Sequence, residues 1–217
     1  MTETLSRIAD AGIMPVIVLS EPGLATGLGD ALADGGLPIA EVTFRTPRAA
    51  EALAIMARDP RLLVGAGTVL TVEQVDAAVA AGAQFIVSPG YSRDVVRAAQ
   101  QRGIPVIPGV ATPTEIQMAL ADGIDVVKFF PAEAVGGTRA LAAMAAPFSG
   151  LRFIPTGGIS PSNLADYLAL PCVAAVGGSW MAPSDLIVRS RWADITRLTA
   201  GAVAAFARDR GDVPSAR

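Results

Sequence analysis

The chain has 217 residues, of which 52% are apolar and 17% charged, so it can bury a full core and lacks the composition of a disordered segment. A net charge of −3 without any Lys/Arg-rich block argues against nucleic acid as a partner, and any anion bound here is expected to be small and held locally. With no histidine and a single cysteine, the sequence excludes imidazole-dependent nucleophilic sites, histidine-ligated zinc, thiolate metal clusters and an internal disulfide, so proton transfer falls to a carboxylate, a tyrosine, a lysine or water.

Short apolar runs alternate with Ala-rich amphipathic segments from end to end. The first run, within Gly12–Leu19, contains a proline, is too short to span a bilayer and follows no basic leader, so neither export nor a membrane partner is expected. In chain order, strands are predicted at Met14–Leu19, Ile39–Thr43, Leu63–Gly65, Phe85–Ser88, Pro105–Ile107, Val126–Phe129, Phe153–Thr156 and Ala174–Gly177. Apolar runs of this length, bounded by Gly and Pro, fit strands covered on both faces. Cys172 precedes the last of them and reads as a small buried hydrophobe, which suits a reducing cytoplasm.

The segments between strands open with helix-start chemistry. Thr46 before Pro47 and Ser160 before Pro161 read as N-caps followed by a proline at the first helical position. Thr71 with Gln74 and Thr112 with Glu115 have the spacing of capping boxes. Eight strand–helix units without a linker predict an α/β protein: a single-domain (β/α)8 TIM barrel over residues 1–217, with 208–217 as a loose C-terminal tail. An open doubly wound sheet is the alternative, and the count of eight favours the barrel. In a barrel, chemistry collects at the C-terminal ends of the strands.

Lys128, near the end of the sixth predicted strand, is the only lysine; the other sixteen basic residues are arginines. It sits in "VVKFF", and strand alternation puts Val126 and Lys128 on one face. Burial disfavours an ammonium, and a lysine made neutral is a nucleophile towards carbonyls. A surface lysine whose stem lies along the sheet is the ordinary reading, which apolar flanks on both sides make the weaker one. In "IAEVTFRT", alternation places Glu41, Thr43 and Arg45 together on one face of the second strand. Alternate strands share interior layers, so Glu41 and Lys128 are expected to project towards each other, either as a working pair or as a structural ion pair.

Arg45, past the strand end, is placed to fork onto a carboxylate or phosphate, or is a solvated charge. Gly65 and Gly67 of "VGAGTVL" permit a tight turn or close approach of a ligand to backbone amides, with Thr68 adding a hydroxyl. The pairs in "IPTGGIS" and "VGGSW" follow strands seven and eight, where barrel enzymes often hold phosphate. They predict an anion site built from backbone amides around Gly157, Gly158, Gly178 and Ser179.

The segments "EVTFRTP", "VGAGTVL", "VSPG", "VKFFPAE", "RFIPTGGISPSN" and "VGGSWM" together resemble the class I 2-keto-3-deoxy-6-phosphogluconate (KDPG) aldolases, many of which also act on 4-hydroxy-2-oxoglutarate. The likeness runs from about residue 13 to about residue 207. It implies a cytoplasmic, homotrimeric barrel lyase of the Entner–Doudoroff pathway that needs no metal or organic cofactor. It implies that Lys128 forms the imine and Glu41 transfers protons. Arg45 and Thr68 would hold the pyruvyl carboxylate, Phe130 and Pro89 would border the pyruvate pocket, and Thr156 would contact substrate beside Gly157 and Gly158. Gly158 and Ser179 would take the phosphate, with Gly157 and Gly178 adjacent. Phe44 departs from the leucine frequent in the family, on the face turned away from the interior. The partner is thus a phosphorylated keto acid. Three rivals stand beside this reading: the galactonate epimer as main substrate, a metal-dependent phosphosugar epimerase or isomerase, which the lack of histidine opposes, and a non-catalytic phosphate-binding barrel.

Overall fold

The computed structural model describes residues 2–211 of the protein. Helix α1 (Glu3–Ala11) leads into β1 (Ile13–Ile17), and a short 3-10 turn precedes α2 (Ala25–Asp34). β2 (Ile39–Thr43), α3 (Ala49–Met56), β3 (Leu63–Gly67) and α4 (Val72–Ala80) follow. Next come β4 (Ile86–Val87), α5 (Arg93–Gln101), β5 (Val106–Ile107), β6 (Gly109–Val110) and α6 (Pro113–Ala121). The chain continues through β7 (Val126–Phe129), α7 (Gly137–Ala145), β8 (Arg152–Pro155), α8 (Leu164–Leu168), β9 (Val176–Gly178), α9 (Ser184–Val188) and α10 (Trp192–Gly211). Of the stretch 208–217 expected to be a loose tail, 208–211 belong to α10 and 212–217 lie outside the described residues.

Every paired strand is parallel, and the strands form a six-stranded sheet in the order β5-β4-β3-β2-β1-β9 and a three-stranded sheet β6-β7-β8. The eight strands expected are therefore corrected at one point: the fifth, read as Pro105–Ile107, matches β5, and a further strand, β6, follows it past Pro108. Proline has no N–H to continue a ladder, and its carbonyl instead accepts from the Lys128 amide at 2.9 Å. Isolated parallel bridges join Phe153 to Val173 and Thr156 to Gly177, between β8 and the approach to β9. The fold is a parallel α/β one.

Strand alternation sorts the core into two layers. Met14, Ile39, Leu63, Phe85, Val126 and Ile154 pack together on one face of the strands. Ala40, Val42, Val64, Ala66, Val127 and Phe129 pack on the other, among the helices. Helix α1, which the sequence reading did not anticipate, adds Leu5, Ile8 and Ala9 to the first layer. Its N-cap is Thr2, whose hydroxyl accepts from the Leu5 amide, and Gly12 ends it in the left-handed region at φ +68°.

Two predicted caps form and two do not. Thr71 and Thr112 accept from the amides of Gln74 and Glu115. The return bonds reach one residue further back than a capping box requires, to the Leu70 and Ala111 amides. Thr46 does not cap α3; its hydroxyl donates to the Leu19 carbonyl at 2.6 Å and ties the exit of β1 to the exit of β2. Ser160 gives way to Asn163 as the residue before α8, and Asn163 bonds the Ser160 amide and the Gly158 carbonyl.

Candidate active site

β2 and β7 carry the candidate pair, Glu41 and Lys128. On β2, Ile39 joins the first core layer and Ala40 and Val42 the second, so Glu41 shares the face of Ile39. On β7, Val126 and Lys128 share that face in the same way. The Lys128 Nζ lies 3.1 Å from Glu41 Oε1 and 3.3 Å from Oε2. Lys128 is 5% exposed and Glu41 fully buried. The ammonium also stands 5.4 Å from the centroid of the Phe130 ring, within reach of its negative face.

Glycines make room for this pair. Gly65 and Gly67 both lie inside β3 and not at a turn, so the conformational reading of them is corrected. A Cβ on Gly67 would stand 2.0 Å from Glu41 Oε1, and one on Gly65 would stand 2.3 Å from the Phe85 ring. Gly109, in register with Lys128, would meet the Pro89 carbonyl at 2.1 Å.

A cavity of about 240 Å³ opens beside the pair. Arg45, Phe130 and Thr156 line it, together with Gly157, Gly158, Gly178 and Ser179. Gly157 and Gly158 have φ of +101° and +81°, a region L side chains rarely adopt. Lys128 and Glu41 do not themselves line the cavity; Phe130 lines it, and its ring also faces the Lys128 ammonium. Arg45 is exposed and donates from Nε to Thr68 Oγ1 at 3.2 Å. Thr68 sits at φ +54°, strained for a β-branched residue, and because its oxygen accepts from Arg45 its own proton is free for an anionic ligand. Thr68 and Pro89 lie outside the cavity lining: Pro89 lines a separate depression with Ser88 and Tyr91, and its carbonyl faces Gly109, the register partner of Lys128.

Sequence reasoning missed the cavity walls Val16, Val18 and Ser184, and it gave Glu133 no role. Alternation along β1 was the signal available for Val16. Glu133 ends the "KFFPAE" segment and accepts a hydrogen bond from Tyr167, a contact that no spacing rule foretells.

A buried lysine held against a buried carboxylate, inside the strands of a parallel α/β fold and near a cavity, is an arrangement that suits an imine-forming enzyme acting on carbonyl compounds. A family model described as "KDPG and KHG aldolase" matches residues 5–198. The 2-dehydro-3-deoxy-phosphogluconate aldolase of Treponema pallidum is 50% identical over 198 residues, covering 91% of this chain and 93% of that protein. Among solved structures, the KDPG aldolase of Legionella pneumophila, with pyruvate captured as a covalent carbinolamine, is similar with a TM-score of 0.89 and 44% identity. That match covers 92% of this chain and 98% of the other. The Zymomonas mobilis enzyme with 3-phosphoglycerate gives a TM-score of 0.86 and 42% identity, over 93% of this chain and 94% of that one. The chain belongs to the KDPG and KHG aldolase family. It is an aldolase, a carbon–carbon lyase.

Proposed function

We propose that this aldolase reversibly cleaves 2-keto-3-deoxy-6-phosphogluconate to pyruvate and glyceraldehyde 3-phosphate through an imine on Lys128. The observation that carries this is the buried contact between Lys128 Nζ and Glu41 Oε1 at 3.1 Å. Glu41 takes a proton from the ammonium, and the neutral amine adds to the C2 ketone to give a carbinolamine. Glu41 returns the proton as the carbinolamine loses water, leaving an iminium. Glu41 then takes the C4 hydroxyl proton as the C3–C4 bond breaks, the aldehyde leaves, and the electron pair rests as an enamine. Protonation of that enamine at C3 and hydrolysis of the imine free pyruvate and Lys128. The protonated imine is the electron sink, which is the role a metal plays in other lyases.

Binding divides between two ends. Arg45 and the Thr68 hydroxyl are 3.2 Å apart and hold the pyruvyl carboxylate, with Phe130 along the pyruvyl group and Pro89 at its border. Gly157, Gly158, Gly178 and Ser179 receive the phosphate through backbone amides, with Thr156, 5% exposed, between the two ends. Because the pyruvyl half is common to both, 4-hydroxy-2-oxoglutarate, which yields pyruvate and glyoxylate, is a second substrate of the same site.

The proposal includes closure of the strands into a single-domain (β/α)8 barrel over 1–217. It is supported by the bridges from Phe153 and Thr156 to residues 173 and 177, and by the Pro108 carbonyl joining the two sheets. The homotrimeric state and cytoplasmic setting rest on the family likeness, and sedimentation equilibrium tests the first. For the chemistry, borohydride added with pyruvate is expected to leave one reduced pyruvyl group on the protein, mapped to Lys128. Lys128→Arg should lose both the adduct and cleavage, because a guanidinium stays protonated. Cleavage retained in that variant would eliminate the imine route.

A further inference from the structure

The Gly157–Gly158 turn is gripped from three directions. The amides of Ala132 and Glu133, just past β7, donate to the carbonyls of Thr156 and Gly157 at 2.8 and 3.1 Å. Asn163 Nδ2 donates to the Gly158 carbonyl at 3.1 Å. The third grip is a side chain: Glu133 Cβ and Cγ lie where a Cβ on Gly158 would stand 2.6 Å away, so the glutamate stem lies flat against the turn. Its carboxylate then accepts from the hydroxyl of Tyr167, a fully buried residue of α8.

Placing a carboxylate beside an anion site is unfavourable unless its charge is directed elsewhere. Tyr167 directs it. Burial, and then the bond to Glu133, push the phenol well above its ordinary pKa, so the hydroxyl remains a donor throughout the working range. Glu133 is exposed, so its own burial adds little to the fold. Its use is therefore local.

We infer that Glu133 and Tyr167 form a positioning pair that fixes the Gly157–Gly158 turn in the shape the substrate's phosphate end requires. The pair touches neither Lys128 nor the reacting carbons, and it controls affinity for a phosphorylated substrate without altering imine chemistry. The inference rests on the proposed reading of that turn as the phosphate site.

The test compares KDPG with 4-hydroxy-2-oxoglutarate in the wild type, Tyr167→Phe and Glu133→Ala, using inorganic phosphate as a competing ligand. In each variant the KM for KDPG should rise roughly fivefold, the worth of one hydrogen bond, and phosphate inhibition should weaken to match. kcat, the KM for the unphosphorylated substrate and the rate of pyruvate trapping should stay within about twofold. The double variant should be no worse than Glu133→Ala alone, since that change already removes the bond that Tyr167→Phe breaks. Glu133→Ala carries the test if Tyr167→Phe fails to fold. Variants that melt earlier but keep the wild-type KM for KDPG would overturn the inference alone. A wild type in which phosphate fails to compete would overturn the phosphate reading, and the inference with it.

Discussion

A buried lysine–glutamate pair barely repays its desolvation, so stability does not explain why Lys128 and Glu41 face each other inside the strands. The imine chemistry proposed for the pair does, and it depends on where the carboxylate sits. Gly67 fixes that position by having no side chain: an added methyl would stand 2.0 Å from Oε1 and 2.5 Å from Cδ of Glu41. Gly67→Ala should therefore swing Glu41 away from Nζ and leave the strands in place. The glutamate side chain can turn aside, so the stability loss is expected near the low end of overpacking costs, about 1 kcal/mol. A displacement of about 1 Å at reacting groups costs on the order of 10²-fold in rate. Urea melts and pyruvate trapping on the same variant would separate the two effects, with a folded protein and slow trapping as the expected outcome. Unchanged trapping would mean the carboxylate need not be held there.

At the scale of elements, α1 supports the strands without touching the chemistry. Ile8, 1% exposed, packs with Met14, Phe85 and Val126 on the strand face that Lys128 and Glu41 share. Ile8→Ala should cost about 2–5 kcal/mol, the range for emptying a well-packed site, and leave kcat unchanged below the melting temperature. Denaturant melts and steady-state rates check this, and a fall in kcat in the folded variant would show α1 coupled to the site. The elements differ in how far the sequence shows them. β2 and β7 were legible because period-two alternation over five residues in "IAEVT" and four in "VVKF" leaves one consistent facing for Glu41 and Lys128. In "ETLSRIADA" the apolar residues Leu5, Ile8 and Ala9 do recur at i, i+3 and i+4 between the Thr2 cap and Gly12, so α1 was legible and was passed over. The roles of Gly65 and Gly67 were misread because their constraint comes from Phe85 and Glu41 across space, while a glycine in sequence signals only backbone freedom. The strand read at Pro105–Ile107 stops where β5 does, and β6 was missed because a proline reads as the end of a strand while its two residues lie just past Pro108.

For the molecule as a whole, ion pairs on the helical layer set the response to acid. Asp122, just past α6, accepts hydrogen bonds from the Tyr91 hydroxyl and from Arg93 Nε at 3.1 Å, with Arg97 4.0 Å away, and so ties α6 to α5 and to the loop after β4. The hydrogen bond from Tyr91, then the arginines, hold its carboxyl below the usual carboxylate range against the opposing effect of burial. A depressed folded-state pKa contributes stability that is present above the unfolded value, about 3.9, and is lost as pH falls through the folded one. Asp122→Asn keeps the shape but not the charge, so it should melt earlier than the wild type at neutral pH. The gap should narrow once the pH drops below about 4, where the wild-type carboxylate also becomes protonated. Melting curves of both proteins from neutral to acid pH measure this directly, and a gap constant over that range would show that the shape of the side chain, rather than its charge, holds the three segments together.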